Sequence, residues 1–192
     1  MNKLEIGAGN NTKTGWISTD IIPSKGVMKL DVTQKFPFQD NTFKFVYSEH
    51  MIEHLTLQEG QFMLKECFRI LQQNGTIRIV TPSLKFLFRI CSPTRNDFEQ
   101  EYFEWSIKKF VPDAPAYTEA IFLNNFVRNW GHLFIYDIET LILTLKHIGF
   151  SNINECKINN SVHKDLKNIE NTKRLPKGFL ELESMIIEAS KY

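Results

Sequence analysis

Hydrophobic positions recur along the chain with two periods, and the change from one to the other divides it into elements. Leu4 and Ile6 flank Glu5 in a short strand that runs into the turn Gly7-Ala8-Gly9-Asn10. Residues 16–21 and 26–32 predict two more short strands, each with an acid at its exit, Asp20 and Asp31. Residues 42–48, β-branched and aromatic, predict a fourth. Between these strands, 10–18 and 33–41 show no apolar periodicity, and the second contains Pro37, so both predict loops. From Ile52 the period lengthens. Leu64, Cys67, Phe68 and Leu71 fall on one helical face, which predicts an amphipathic helix over 52–71 stopped near Asn74-Gly75. Residues 76–81, closed by Pro82, predict a fifth strand. Ile138, Leu141, Ile142, Leu145 and Ile148 predict a second helix, with Asp137 placed to cap its start and Gly149 just past its end. Short strands around 153–158 and 183–189, with no helix between them, finish the pattern.

This order predicts an α/β fold: a Rossmann-like, mostly parallel seven-stranded sheet with helices on its faces and a C-terminal antiparallel hairpin. Residues 83–136 break the rhythm. They are dense in aromatics, among them Phe86, Tyr102, Trp105, Phe110, Phe126 and Trp130. A connection of that length is normally a lid or an inserted subdomain. We read 1–192 as one domain and 83–136 as a helical lid insertion. Each aromatic, taken singly, reads as core of the insertion, and the segment as a whole as the place where a second substrate is recognised.

Composition narrows the partners. The chain has 192 residues with 42% hydrophobic content, enough for one full core. Its 23 basic and 22 acidic residues leave a net charge of +1, so no long-range field favours nucleic acid. Cys67, Cys91 and Cys156 are dispersed and lack metal-type spacing, which suits a reducing compartment. No apolar run reaches membrane-spanning length, and the expectation is a cytoplasmic protein without a membrane partner.

Strand, glycine turn and acid together suggest a nucleotide-type site at the carboxyl ends of an open sheet. A dinucleotide fingerprint would ask for a third glycine, where Thr12 stands, and for a helix after the turn. Instead the chain offers Glu5 before Gly7, then Asp20 and Asp31 at successive strand ends. Either aspartate alone reads as a turn residue. With Glu5, Gly15 to Asp20, Asp31 to Pro37, Ser48 to His54 and Gly131 to Asp137 running in order, the chain resembles the class I S-adenosylmethionine-dependent methyltransferases of the type 11 group. The resemblance implies S-adenosylmethionine as cofactor. It implies that Gly7, Ala8 and Gly9 meet the methionine part, with Glu5 holding the loop and facing the ammonium. Asp20, with Ile21 beside it, would accept the ribose hydroxyls, Asp31 and the Val32 amide would read adenine, and Ser48, Glu49 and His50 would close over the adenosine. Helices usual in that family before the first strand and after the first two strands are not predicted here, so the insertion is expected to cover the acceptor.

His50-Met51-Ile52-Glu53-His54 also matches the HxxEH pattern of a zinc hydrolase. Some O-methyltransferases that resemble this arrangement hold magnesium here, with His132 as a further candidate ligand, but Glu53 would be the site's one oxygen donor. We assign no metal and expect Glu53 and His54 to tie the helix start to its neighbours. His132 is the first choice as general base and His50 the second, since histidine suits proton removal near neutral pH. The expected activity is methyl transfer to a small, nucleotide-linked or sugar-linked acceptor, with oxygen as the receiving atom, in surface-polysaccharide or sugar-nucleotide biosynthesis by family analogy. A cofactor-binding, non-catalytic subunit is the alternative, a magnesium-assisted O-methyltransferase a further one, and a homodimer is an open expectation.

Overall fold

The computed structural model describes residues 2–10 and 12–192; Asn11, inside the expected first loop, lies outside them. Strands β1 (Lys3–Ile6), β2 (Ile17–Asp20), β3 (Val27–Lys29), β4 (Phe43–Glu49), β5 (Leu71–Pro82), β6 (Ser151–Cys156) and β7 (Ser184–Ser190) form one sheet. Their order is β3-β2-β1-β4-β5-β7-β6. The first five lie parallel, and β7 enters antiparallel between β5 and β6. The expected sheet is therefore observed. Its chain reverses direction beside β1, which puts the carboxyl ends of β1 and β4 next to each other at one rim.

Helices α1 (Leu57–Ile70) and α5 (Ile138–Ile148) cover one face of this sheet. Met63, Leu64 and Cys67 of α1 and Leu141 and Leu145 of α5 pack with Leu4, Ile6, Val46, Ile77 and Ile187, all essentially without exposed surface. Side chains of that size each contribute about 1.5–3 kcal/mol when fully buried. The other face is not helical, contrary to expectation. Phe45, Tyr47, Val80 and Ile186 are roofed by Trp16 and by Leu166 from the irregular segment that follows β6.

Three boundaries differ from the sequence reading. The expected helix over 52–71 is split into a 3-10 turn, Ile52–His54, and α1. Thr56 caps α1 with Glu59 in a reciprocal capping box, so the helix restarts there. Its C-terminus comes at Ile70, and Asn74, with φ of 61°, is a kink inside β5 where pairing shifts from Leu71 opposite Phe43 to Thr76 opposite Phe45. The C-terminal pair is antiparallel as expected, but its connection is no simple turn: it holds a 3-10 turn, Lys164–Leu166, and a short helix, α6 (Phe179–Glu183), placed where no helix was expected.

The segment 83–136 folds as α2 (Leu84–Ile90), α3 (Asp97–Phe110) and α4 (Glu119–Asn124), the last running into a π-helical turn, Asn125–Asn129. Phe86, Tyr102, Phe103, Phe122 and Phe126 form its own core, joined by Phe179 of α6. Phe86, Tyr102, Phe122 and Phe179 meet edge to face at 4.9–6.5 Å, an arrangement aromatic quadrupoles prefer. Among the described residues, no helix is long and apolar enough to cross a membrane.

Candidate active site

The turn after β1 is built on the backbone of β2. Gly7 and Ala8 both donate to the Thr19 carbonyl at 2.9 Å, which holds Gly7 at a φ of +74°. Glycine is required there twice over, by that angle and because a Cβ would come within 2.5 Å of the Met51 side chain. Glu5 lies beneath, 4% exposed, accepting from Ser18 Oγ at 2.7 Å and pairing with Lys13 Nζ at 2.7 Å. It clamps the loop to the sheet. Asp20 accepts from Gly9 N at 2.9 Å and Ile22 N at 3.0 Å, each with a different oxygen. Asp31 spends one oxygen on the Thr33 hydroxyl and amide, contacts that hold its carboxyl below the usual range.

Two cavities open above this platform. The larger, about 400 Å³, is lined by Asp20, Ile21, Asp31 and Val32 on one side and Met51 and His54 on the other. The smaller, about 170 Å³, is lined by Glu5, Ala8, Gly9, Lys13, Glu49 and Arg174. Gly7 and His50 belong to both walls, so the two spaces adjoin. The expected cofactor residues are thus gathered at one rim, with one exception. Ser48 is fully buried and lines neither cavity.

A third cavity, about 370 Å³, lies between the sheet rim and the insertion. Its aromatic walls are Trp105, Phe110, Phe126 and Trp130; its polar lining includes His132, Lys109 and Arg174. His50 lines this cavity too, which places it where all three meet. The residue follows β4 directly, its amide donating to Val80 O at 2.8 Å, and its φ of 49° is uncommon for a side chain larger than asparagine. Nε2 lies 2.9 Å from Ser184 Oγ, and Nδ1 3.3 Å from Glu53 Oε1 but off the line of a hydrogen bond.

His132 is brought in by the backbone. Leu133 and Phe134 both donate to the Glu53 carbonyl, at 2.8 and 3.2 Å, and this lays the end of the insertion across the 3-10 turn. The His132 and His54 rings then meet at 5.0 Å. Burial holds the His132 imidazole below its usual pKa. Glu53, fully buried, is disfavoured as an ion by burial, yet the His50 imidazole keeps its carboxyl below the usual range. Three further polar groups of the cavity were not anticipated: Arg174 and Glu183, from the connection before β7, and Tyr102 of α3. Tyr102 donates to Glu183, whose carboxyl burial pushes above its usual range. In the sequence they sit among ordinary charged and aromatic residues, and only the folded connection brings them here.

A methyltransferase-domain family model matches residues 17–79, which carry β2, β3, β4, α1 and most of β5, with Asp20, Asp31 and His50 but without β1 and its glycine turn. No curated protein matches the chain. The chain shares the fold of S-adenosylmethionine-dependent methyltransferases. Solved structures agree on the fold. An S-adenosylmethionine-dependent methyltransferase from Archaeoglobus fulgidus is 19% identical, with a TM-score of 0.55 over 98% of this chain and 85% of that one. A Thermotoga maritima methyltransferase, named as a possible histamine N-methyltransferase, is 16% identical with a TM-score of 0.56, over 100% and 82%. The phosphoethanolamine N-methyltransferase 2 of Haemonchus contortus, in complex with phosphomonomethylethanolamine and S-adenosylhomocysteine, is 12% identical with a TM-score of 0.50, over 98% and 48%.

Proposed function

We propose that the protein is a methyltransferase that binds S-adenosylmethionine across the two cavities at the sheet rim and passes the electrophilic methyl group of its sulfonium to an oxygen of an acceptor held in the aromatic chamber. The adenosine lies along Asp20, Ile21, Asp31 and Val32, and the methionine end along Gly7, Ala8, Gly9 and Glu49. The observation that carries this reading is the position of His50, the one side chain common to all three cavities. A methyl leaving sulfur along the line to the acceptor passes beside it, and alignment of that kind supplies much of the rate of an in-line displacement. His50 takes the hydroxyl proton, while His132 on the far wall positions the acceptor.

The chamber's lining supports an acceptor with both a ring and an anionic group. Trp105, Phe110 and Trp130 offer flat apolar faces suited to a sugar or base, and Lys109 and Arg174 offer cations suited to a phosphate. A nucleotide-linked or carrier-linked sugar, of the sort used in polysaccharide assembly, meets both requirements. The free cysteines Cys67, Cys91 and Cys156 fit work in a reducing cytoplasm.

The assignment of Asp20 is tested by calorimetric titration of Asp20→Ala with S-adenosylhomocysteine. We expect at least about a tenfold loss of affinity, the scale of a charge-assisted hydrogen bond of about 1.5–3 kcal/mol. Unchanged affinity would remove Asp20 from the cofactor site. Turnover, followed as S-adenosylhomocysteine release over a panel of nucleotide sugars and lost in His50→Ala, separates an enzyme from a cofactor-binding subunit without activity.

A further inference from the structure

The 3-10 turn and the end of the insertion together assemble a donor set of which the methyl-transfer reading uses only His132. Glu53, His54 and His132 each present one ligand atom, all within 4.8 Å of one another. The environment of two of them is unusual. Glu53 has no exposed surface, yet its Oε1 has no hydrogen-bond partner among the described residues, with only the His50 Nδ1 3.3 Å away and off line, and the buried Nδ1 of His132 has none either. A buried acceptor left unpaired costs about 1–3 kcal/mol, more when charged. The other Glu53 oxygen accepts from Thr81 Oγ1 at 3.0 Å, which fixes the carboxylate with its orphaned oxygen turned away from that contact. Outer partners of this kind orient metal ligands. The backbone bonds from Leu133 and Phe134 to the Glu53 carbonyl fix the spacing of His132 in the same way.

We propose that Glu53, His54 and His132 hold a divalent first-row cation of borderline softness, such as zinc or cobalt, in the wall of the acceptor chamber. Two imidazole nitrogens and one carboxylate oxygen are the donors such ions accept, whereas magnesium asks for oxygens in a near-ideal octahedron. Bonds of about 2.0–2.2 Å at tetrahedral angles place two donors of one ion about 3.3–3.6 Å apart. A spread of up to 4.8 Å therefore closes by about an ångström as the two imidazole rings turn inward on binding. Three protein donors leave coordination positions open.

The role of the ion rests on the reading of this cavity as the acceptor chamber. An acceptor hydroxyl on the open position is acidified by the cation. Its proton passes to His50 and on to solvent. Its oxygen forms the new bond to the methyl carbon as the bond from that carbon to sulfur breaks, and the sulfonium leaves as the neutral thioether of S-adenosylhomocysteine.

The full chain, stripped with a chelator, is titrated with cobalt(II) and followed by the visible absorption of the bound ion. One equivalent is expected, displaced by zinc and not by magnesium. His132→Ala should weaken binding at least about tenfold, as loss of metal-site groups does. His54→Ala should do the same, and its exposed side chain makes it the variant that folds in any case. S-adenosylhomocysteine is titrated into the same samples. Cofactor binding without saturable cobalt binding overturns the metal site and leaves the methyltransferase reading standing. Cobalt binding of equal strength in wild type and both variants overturns it as well.

Discussion

Glu66 shows how much structure one carboxylate organises in this chain. Its oxygens accept from Arg69 at 2.7 and 2.8 Å and from the Phe36 amide at 2.7 Å, while Arg69 also reaches the Phe36 and Phe38 carbonyls and Asp40. The pair fastens the loop between β3 and β4, the loop that begins beside Asp31, to α1. The Arg69 guanidinium holds the Glu66 carboxyl below its usual range. A depressed folded pKa means that the stability conferred by the charge is fully present above the unfolded value of about 4.3, and is lost as pH falls through the folded value. Glu66→Gln should therefore flatten the acid limb of a stability profile from urea unfolding below about pH 5. An acid limb of unchanged steepness would place that titration elsewhere. Residues of this kind divide by legibility. Gly7, Asp20 and Asp31 could be placed at the rim from the sequence because each sits at its own strand end. Arg174 and Glu183 could not, because their place in the chamber comes from the path of a long connection, and Ser48, at a readable position, turns its side chain into the interior.

Elements were most legible where local chemistry and burial agree. Helix α5 begins at the residue after Asp137, which accepts from the Thr140 amide at 2.6 Å, and ends at Gly149 with φ of 114°. The start of α1 was equally present in the sequence as Thr56 followed by Glu59, but the apolar pattern runs on past it into the 3-10 turn and hides the break. Its end was misplaced because Asn74-Gly75 resembles a helix stop, whereas the same positive φ serves as a kink in β5. One position in α1 goes against helix propensity. Gly60 closes the first turn of α1, where alanine is better by up to about 1 kcal/mol, but a Cβ there would stand 2.5 Å from Tyr136 Oη. Tyr136 is fully buried, and its hydroxyl has no partner among the described residues. Gly60→Ala should therefore lower the melting temperature in the native background, and Tyr136→Phe should reverse the sign by removing the obstructing oxygen. A double-mutant cycle reads the coupling directly, and additive effects would show that the hydroxyl yields without cost.

At the scale of the whole molecule, the two faces of the sheet are covered by different means, and the difference bears on function. Helices pack on one face through apolar contact. On the other, the segment after β6 is held by charge: Arg78, fully buried in the middle of β5, pairs with Glu170 at 2.5 Å and Glu188 at 2.6 Å and donates to the Asn160 and Lys157 carbonyls. Glu170 in turn accepts from the Asn159 amide at 2.7 Å. That segment continues through Asn171, whose amide reaches Glu49 at 3.3 Å, to Arg174 and Glu183 in the acceptor chamber. Nothing in the periodicity of the sequence marks this arrangement, since one arginine in a strand reads as an outward-facing residue until its partners arrive from far along the chain. Arg78→Met would leave two buried carboxylates uncompensated, and breaking a buried ionic group in this way costs about 3–5 kcal/mol. Adding Glu170→Gln and Glu188→Gln should restore much of the loss, because the desolvated charges go with the arginine. In Arg78→Met, amide hydrogen exchange should rise over 157–171, and turnover should fall further than affinity for S-adenosylhomocysteine, whose proposed contacts along β1, β2 and the loop after β3 do not depend on that segment. Equal losses of turnover and cofactor affinity would mean that the roof supports the whole rim, cofactor platform included, rather than the acceptor side alone.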